Sequence, residues 1–261
     1  VLPLNPDALR WHVWDDGPLE GPRNMARDHA LALVAPAGYG FLRFYRWRRP
    51  TLSFGRHESV HDAWRRDQPE ALGWDVVRRP TGGRTVLHAS ELTYSVVVPQ
   101  RAVGGARHLY RSVHEGLAAG LTRLGVPVEV ASRRQRAPGL DAGPCFAVPV
   151  DGELEVAGRK LVGSAQARIG SALLQHGSLL LSNEQGLLMH SAEPRRSARP
   201  GQTKVPRPVL TGVAALDELM PELPLLTDLI TKLGEGLAQT LPGVWPNSHS
   251  RALPDTLPTE F

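Results

Sequence analysis

Residues 78–99 read RRPTGGRTVLHASELTYSVVVP, a glycine turn leading into an alternating strand, and they set the reading of everything on either side. Pro80 fixes its own φ, while Gly82 and Gly83 reach backbone angles closed to other residues. Such a turn lets a substrate lie against main-chain N–H groups, with Arg78, Arg79 and Arg84 supplying positive charge beside it. Residues 92–98 alternate and are rich in β-branched side chains, the pattern of a strand. Residues 74–78 predict the strand that feeds the turn, and His88 lies between. Taken alone, this segment is also compatible with a plain hairpin whose histidine is hydrogen-bonded structure.

Upstream, residues 22–34 predict a helix with Pro22 near its start and Met25, His29, Leu31 and Leu33 among its less exposed positions. Residues 42–47 and 51–54 read as strands around a break at Pro50. Downstream, residues 107–124 are the clearest helix: Leu109, Val113, Leu117, Leu121 and Leu124 form one apolar stripe, and Gly125 stops it. A short strand at 126–130 and a polar, basic loop at 132–143 follow. Residues 154–156, 161–169 and 173–181 suggest three antiparallel strands, with Gly158-Arg159 and Gly170-Ser171 at the turns. A basic, proline-rich connector at 193–208 leads to helical segments at 213–220 and 225–237, the second with an apolar face of Leu225, Leu226, Leu229, Ile230 and Leu233. Residues from 241 onward carry four prolines and are expected to lie irregularly over the surface.

With 261 residues the chain suits one large domain, or one domain with a small appendage. We therefore expect a catalytic domain over 1–190, with the connector and C-terminal helices of 191–261 packed on it. The longest apolar run, 30–37, is far too short to span a bilayer, and the opening VLPLNPDALRW has no secretory pattern. A single cysteine, Cys145, rules out an internal disulfide and fits a reducing cytoplasm. The formal charge is +4, with arginines clustered at 133–136 and 195–207. A basic surface attracts nucleic acid, a membrane or an acidic protein. No helix-turn-helix, zinc-finger spacing or aromatic RNA-binding motif favours nucleic acid.

Three features bear on chemistry. His57-Glu58-Ser59-Val60-His61 matches the H-E-x-x-H pattern in which two histidines share zinc and the glutamate acts as base. Gly55 just before it and the polar DAWRRDQPE after it deny it the apolar helix that motif needs, so no metal site is expected. Cys145 follows the basic loop, sits between Pro144 and Phe146, and precedes Lys160 by a short hairpin. A lone cysteine is ordinarily a small buried hydrophobe, but nearby positive charge turns one into a nucleophile. Lys160 in GRKLVGSAQ is placed at a turn, flanked by Gly158 and Gly163, which leave room for a ligand. The Walker loop, the Rossmann fingerprint and the serine-hydrolase elbow are all missing. Composition and spacing thus lead to a cytosolic α/β domain with a candidate reactive cysteine.

RRPTGGRTVLHASELTYSV, GRKLVGSAQAR and LLQHGSLLL, with NMARDHAL and TLSFGR ahead of them, strongly resemble the lipoate–protein ligase A and octanoyltransferase branch of the biotin/lipoate ligase family. The likeness covers about residues 24–181, in the family's motif order. It implies an α+β fold, a mixed, largely antiparallel sheet flanked by helices in a class II synthetase-like catalytic domain, with the acyl chain in a tunnel beside the Gly82-Gly83 turn. Arg79, Gly82, Gly83 and His88 fall on the first substrate-binding motif. Lys160, Gly163, Ser164 and Ala165 fall on the second, where the lysine contacts the acyl carbonyl. PCF upstream of the lysine resembles octanoyltransferases that use a cysteine at that place.

The resemblance implies that the Cys145 thiolate takes octanoyl from acyl carrier protein and passes it to a lysine of a lipoyl domain such as glycine-cleavage H protein. Lys160 would stabilise the thiolate or the oxyanion, and no cofactor would be needed. Acidic partners of this kind give the arginines at 133–136 a candidate docking role. An ATP- and Mg-dependent lipoate ligase, an amidotransferase between lipoyl domains, and a non-catalytic acyl-binding protein are the competing readings.

Overall fold

A computed structural model describes residues 9–58, 69, 71–131, 152–185, 187 and 212–246. In chain order the elements are β1 (Arg10–Leu19), α1 (Gly21–Val34), β2 (Tyr39–Trp47), β3 (Thr51–Phe54), β4 (Asp75–Arg78), β5 (Val86–His88) and β6 (Glu91–Pro99). After a 3-10 turn at Gln100–Val103 come α2 (Ala106–Arg123), β7 (Glu129–Val130), β8 (Leu154–Val156), β9 (Arg159–Ile169), β10 (Ala172–Leu180), the one-turn α3 (Leu216–Leu219) and α4 (Leu226–Thr240).

Among the described residues, seven strands form one sheet in the order β1-β2-β6-β10-β9-β8-β7. Only the β1–β2 pair is parallel. A smaller sheet, β4-β3-β5, carries the glycine turn between its outer strands. The mixed, largely antiparallel architecture is the one the motifs imply.

Period-two alternation gives the large sheet two different faces. In register, Tyr94, Gly177 and Ser164 lie side by side on one face, and Ser95, His176 and Ala165 on the other. The first face packs Leu92, Tyr94, Val96, Leu173 and Leu179 against Leu109, Val113 and Leu117 of α2, with Leu229, Leu233 and Leu237 of α4 in the same core. The second packs Phe41, Val97 and Leu174 against Leu31 and Ala32 of α1, with Trp14 of β1. Both faces are covered, so β10 is buried along its whole length.

Several expectations need correction. β1 went unread, although Trp11 and Val13 alternate with exposed His12; Asp15, Asp16 and the bulge before Pro18 interrupt the strand pattern. His29 and Leu33 face solvent, and α1 instead buries Asn24 and Asp28, because the buried stripe includes charge. The strand expected at 126–130 is reduced to β7, and the helix expected at 213–220 to α3. Val213 is drawn away into a parallel bridge with Lys160. Leu225 is exposed, and Leu237 completes the α4 face. The chain beyond α4 is also engaged: Val244 pairs with Leu9 and Trp11, and Trp245 stacks on Trp11 with centroids 4.4 Å apart.

α2 and α4 approach until glycine is required at their crossing. A Cβ on Gly236 would overlap the carbonyl oxygen of Gly116, a backbone atom that cannot step aside. We expect Gly236→Ala to lower the urea-unfolding free energy by about 1–3 kcal/mol, the cost of overpacking a tight contact.

Candidate active site

The glycine turn is held from below by Arg79. Its guanidinium donates to the carbonyls of Ser53 (3.0 Å), Gly82 (2.9 Å) and Arg84 (2.7 Å), and to Ser53 Oγ (3.1 Å). Gly83 adopts φ +93°, which only glycine takes without strain. Arg78 donates to the carbonyls of Gly55 (2.6 Å) and Glu58 (2.8 Å). Glu58 is buried, accepting from Gly55 N–H (2.9 Å) and from both N–H (2.9 Å) and Oγ1 (2.7 Å) of Thr85. The glutamate of H-E-x-x-H therefore braces the turn. His57 is exposed, and His61 lies outside the described residues.

Beside the turn, on the α1 face of the large sheet, a partly open hollow is lined by Met25, Tyr45, Trp47, Val86 and residues 163–165, among others. His88 forms part of its wall, stacked on Trp47 with centroids 4.1 Å apart. His88 donates from Nδ1 to Glu91 (2.8 Å), and its Nε2 lies 2.7 Å from Ser53 Oγ. Burial pushes the Glu91 carboxyl up, but the His88 charge and donors from His88, Ser178 and Thr93 outweigh it, and Glu91 titrates below the usual range.

His176 lies on the same face. Its Nδ1 donates to Asp28 (2.9 Å) and its Nε2 lies 2.6 Å from Thr81 Oγ1, inside the glycine turn. Asp28 also accepts from Arg43 (2.7 Å) and Tyr45 (3.0 Å). Burial would raise the Asp28 carboxyl; Arg43 and His176 hold it below its ordinary value. The Tyr45 hydroxyl is pushed well up, by burial first and then by Asp28, so it stays a donor.

A second network occupies the α2 face. Gln175 donates to Tyr94 Oη (3.1 Å), which lies 2.7 Å from Ser164 Oγ, which lies 2.9 Å from His114 Nε2; His114 Nδ1 donates to the Tyr110 carbonyl (2.8 Å). Every proton in this chain has one orientation if His114 is neutral. Burial lowers the imidazole, the Tyr110 bond opposes, and the Lys160 charge lowers it again, to about 4. Lys160 is the second residue of β9 and is buried, not solvated at a turn. Its Nζ lies 2.8 Å from Glu153 Oε1, and its backbone pairs with Gly212 and Ala214.

The structure thus brings Arg79, His88, Gly163, Ser164 and Ala165 to one hollow, whereas Gly82 and Gly83 are not among its lining residues. Lys160 is not among the lining residues; it sits four residues before Ser164 on β9, close enough for its charge to act on His114. Cys145 and the arginines at 133, 134 and 136 lie outside the described residues. Sequence reasoning missed Asp28, Glu91, His114, Glu153 and His176. NMARDHAL and LLQHGSLLL contain two of them, but only the packing of α1 on β10 shows their partnership.

Residues 20–238 match the lipoyl protein ligase A/B catalytic domain family. The octanoyltransferase LipM of Symbiobacterium thermophilum is 41% identical over 186 residues, covering 68% of this chain and 68% of its own. The octanoyltransferase LipM of Lysinibacillus sphaericus is 31% identical over 245 residues, covering 88% and 87%. Among solved structures, a lipoate-protein ligase A bound with ATP superposes with a TM-score of 0.68 at 19% identity, covering 94% of this chain and 90% of its own, a likeness of fold.

Two outcomes are expected. Removing Glu153 leaves a buried ammonium without its carboxylate, so Glu153→Ala should cost about 3 kcal/mol in chemical unfolding, and adding Lys160→Met should restore most of it. His114 is neutral in the fold and protonates more readily unfolded, so stability should fall as pH drops from 6.5 to about 4. That shift corresponds to roughly 3 kcal/mol, and His114→Gln should lose that much less between pH 7 and pH 4. Below that range the depressed carboxyls of Asp28 and Glu91 take over, losing their contribution as they protonate.

Proposed function

The chain belongs to the lipoyl protein ligase A/B catalytic-domain family, and from that premise we propose that it transfers octanoyl from acyl carrier protein to a lysine of a lipoyl domain through a thioester on Cys145. The observation that carries this reading is the similarity to octanoyltransferases across most of the catalytic domain, in a chain whose one cysteine stands just ahead of the GRKLVGSAQ strand.

In the first half-reaction the Cys145 thiolate attacks the carbonyl carbon of the octanoyl thioester. A new C–S bond forms, the bond to the carrier's sulfur breaks, and the carrier leaves as a thiolate that takes up a proton. In the second, a neutral lysine amine of the lipoyl domain attacks the acyl-enzyme carbonyl. Its amide forms, the Cys145 thiolate is released, and the amine gives up a proton. A thioester is converted to an amide, which is downhill, so ATP is not consumed.

The hollow beside the glycine turn takes the acyl chain. Met25, Tyr45, Trp47 and Val86 give it an apolar lining suited to a straight alkyl chain, and Arg79 and His88 fix the turn and wall that shape it. Lys160 supplies positive charge at the thioester carbonyl or the thiolate. Its burial keeps water from screening that charge, and Glu153 at 2.8 Å offsets it until the substrate draws the ammonium away. Glycine-cleavage H protein is the acceptor we propose.

Intact-protein mass spectrometry after mixing with octanoyl-acyl carrier protein, without ATP, tests the reading. Wild type should gain one octanoyl group that apo H protein discharges, and Cys145→Ala should gain none. ATP-dependent modification of the lipoyl domain that persists in Cys145→Ala would overturn it in favour of a ligase.

A further inference from the structure

A second, more open hollow lies on the α1 face, and it shares Met25 with the acyl cavity. Every charged or titratable residue lining it is basic: His29 of α1, Arg56 after β3, Arg78 at the end of β4, and Arg168 near the end of β9. No carboxylate lines it among the described residues. His29, Arg56 and Arg168 are exposed, and their side chains form no hydrogen bond or ion pair with any described residue. Arg78 donates through one terminal nitrogen to the carbonyls of Gly55 and Glu58.

Arginines nearby are treated differently. Arg27 and Arg43 pair with Asp16, Arg43 also with Asp28, and Arg46 with Asp15. Cations that converge from four elements with no anion among them repel one another, and together they raise a positive potential over the groove.

We propose that this groove docks the acidic side chains of the acyl carrier protein that delivers the octanoyl group. The inference rests on the octanoyl-transfer reading and adds a surface to it. The groove adjoins the acyl cavity, with Met25 lining both, which puts an anion held there next to the molecule whose acyl chain enters that cavity. The lipoyl-domain lysine has to reach only the acyl carbonyl. Charge complementarity of this kind acts on encounter and on KM more than on the chemical step.

The test compares wild type with Arg56→Glu/Arg168→Glu and with the milder Arg56→Gln/Arg168→Gln, in steady-state and single-turnover assays. With octanoyl-acyl carrier protein, KM should rise by about tenfold or more in the glutamate variant and less in the glutamine variant, with a weaker dependence on salt. Two rates should match wild type: acylation of the enzyme by octanoyl-N-acetylcysteamine, an uncharged donor, and discharge of preformed octanoyl-enzyme to apo lipoyl domain. An unchanged KM for the carrier overturns the proposal, as does a defect confined to discharge or one that persists with octanoyl-phosphopantetheine alone. If wild type accepts octanoyl from the uncharged thioester but never from the carrier, the carrier reading itself fails, and the groove fails with it.

Discussion

The fold turns on a carboxylate that cannot be left alone. Asp28 is inaccessible to solvent, and a bare charge in that position would cost far more than the domain's net stability. Its two oxygens are shared among Arg43, Tyr45 and His176, so α1 is pinned to β2 and β10 at once. His176 extends the constraint to Thr81, and with it the glycine turn is fixed over the large sheet although it belongs to the small one. Asp28 thereby links three parts of the fold: α1, the seven-stranded sheet and the glycine turn.

The arginines of RRPTGGR show how burial changes the meaning of a charge. In sequence they stand as cations beside a glycine turn, ready for an anionic substrate. In the structure Arg79 spends its donors on the carbonyls of Ser53, Gly82 and Arg84, acting as a template for the turn. A loop in this conformation turns several carbonyls inward, and a planar guanidinium is the one side chain with enough fixed donors to satisfy them together. What Arg79 leaves for a ligand at this place is the shape of the turn.

Local pattern carried much of the fold. The stripe of Leu109, Val113, Leu117 and Leu121, the alternation of β6, and the β9–β10 hairpin all came through because period and burial agree there. β1 was lost where Asp15, Asp16 and Gly17 break the alternation; their order comes from Arg27, Arg43 and Arg46, partners far along the chain. The site was legible in its motifs and illegible in its pairings. Lys160 looked like a solvated turn residue because its cover, residues 212–214, arrives from more than fifty positions away. Glu153 and His114 carried no signal at all, since one buried glutamate and one helical histidine look like many surface ones until register and packing place them.

Lys160 and His114 show why both faces of the sheet are needed. The two basic groups are close enough for the Lys160 charge to depress His114, and their partners differ. Lys160 keeps a carboxylate at 2.8 Å, whereas His114 has only a carbonyl and a hydroxyl, neither of which supports a second proton. The result is one charged donor and one neutral acceptor joined through β9. The neutral acceptor orients Ser164, and Ser164 reaches the hollow through the strand whose other side is Gly163 and Ala165. Ordering the α2-face network is therefore a way of shaping the α1-face cavity. Gly163 and Ala165 line the hollow, and larger side chains at these positions would intrude on it.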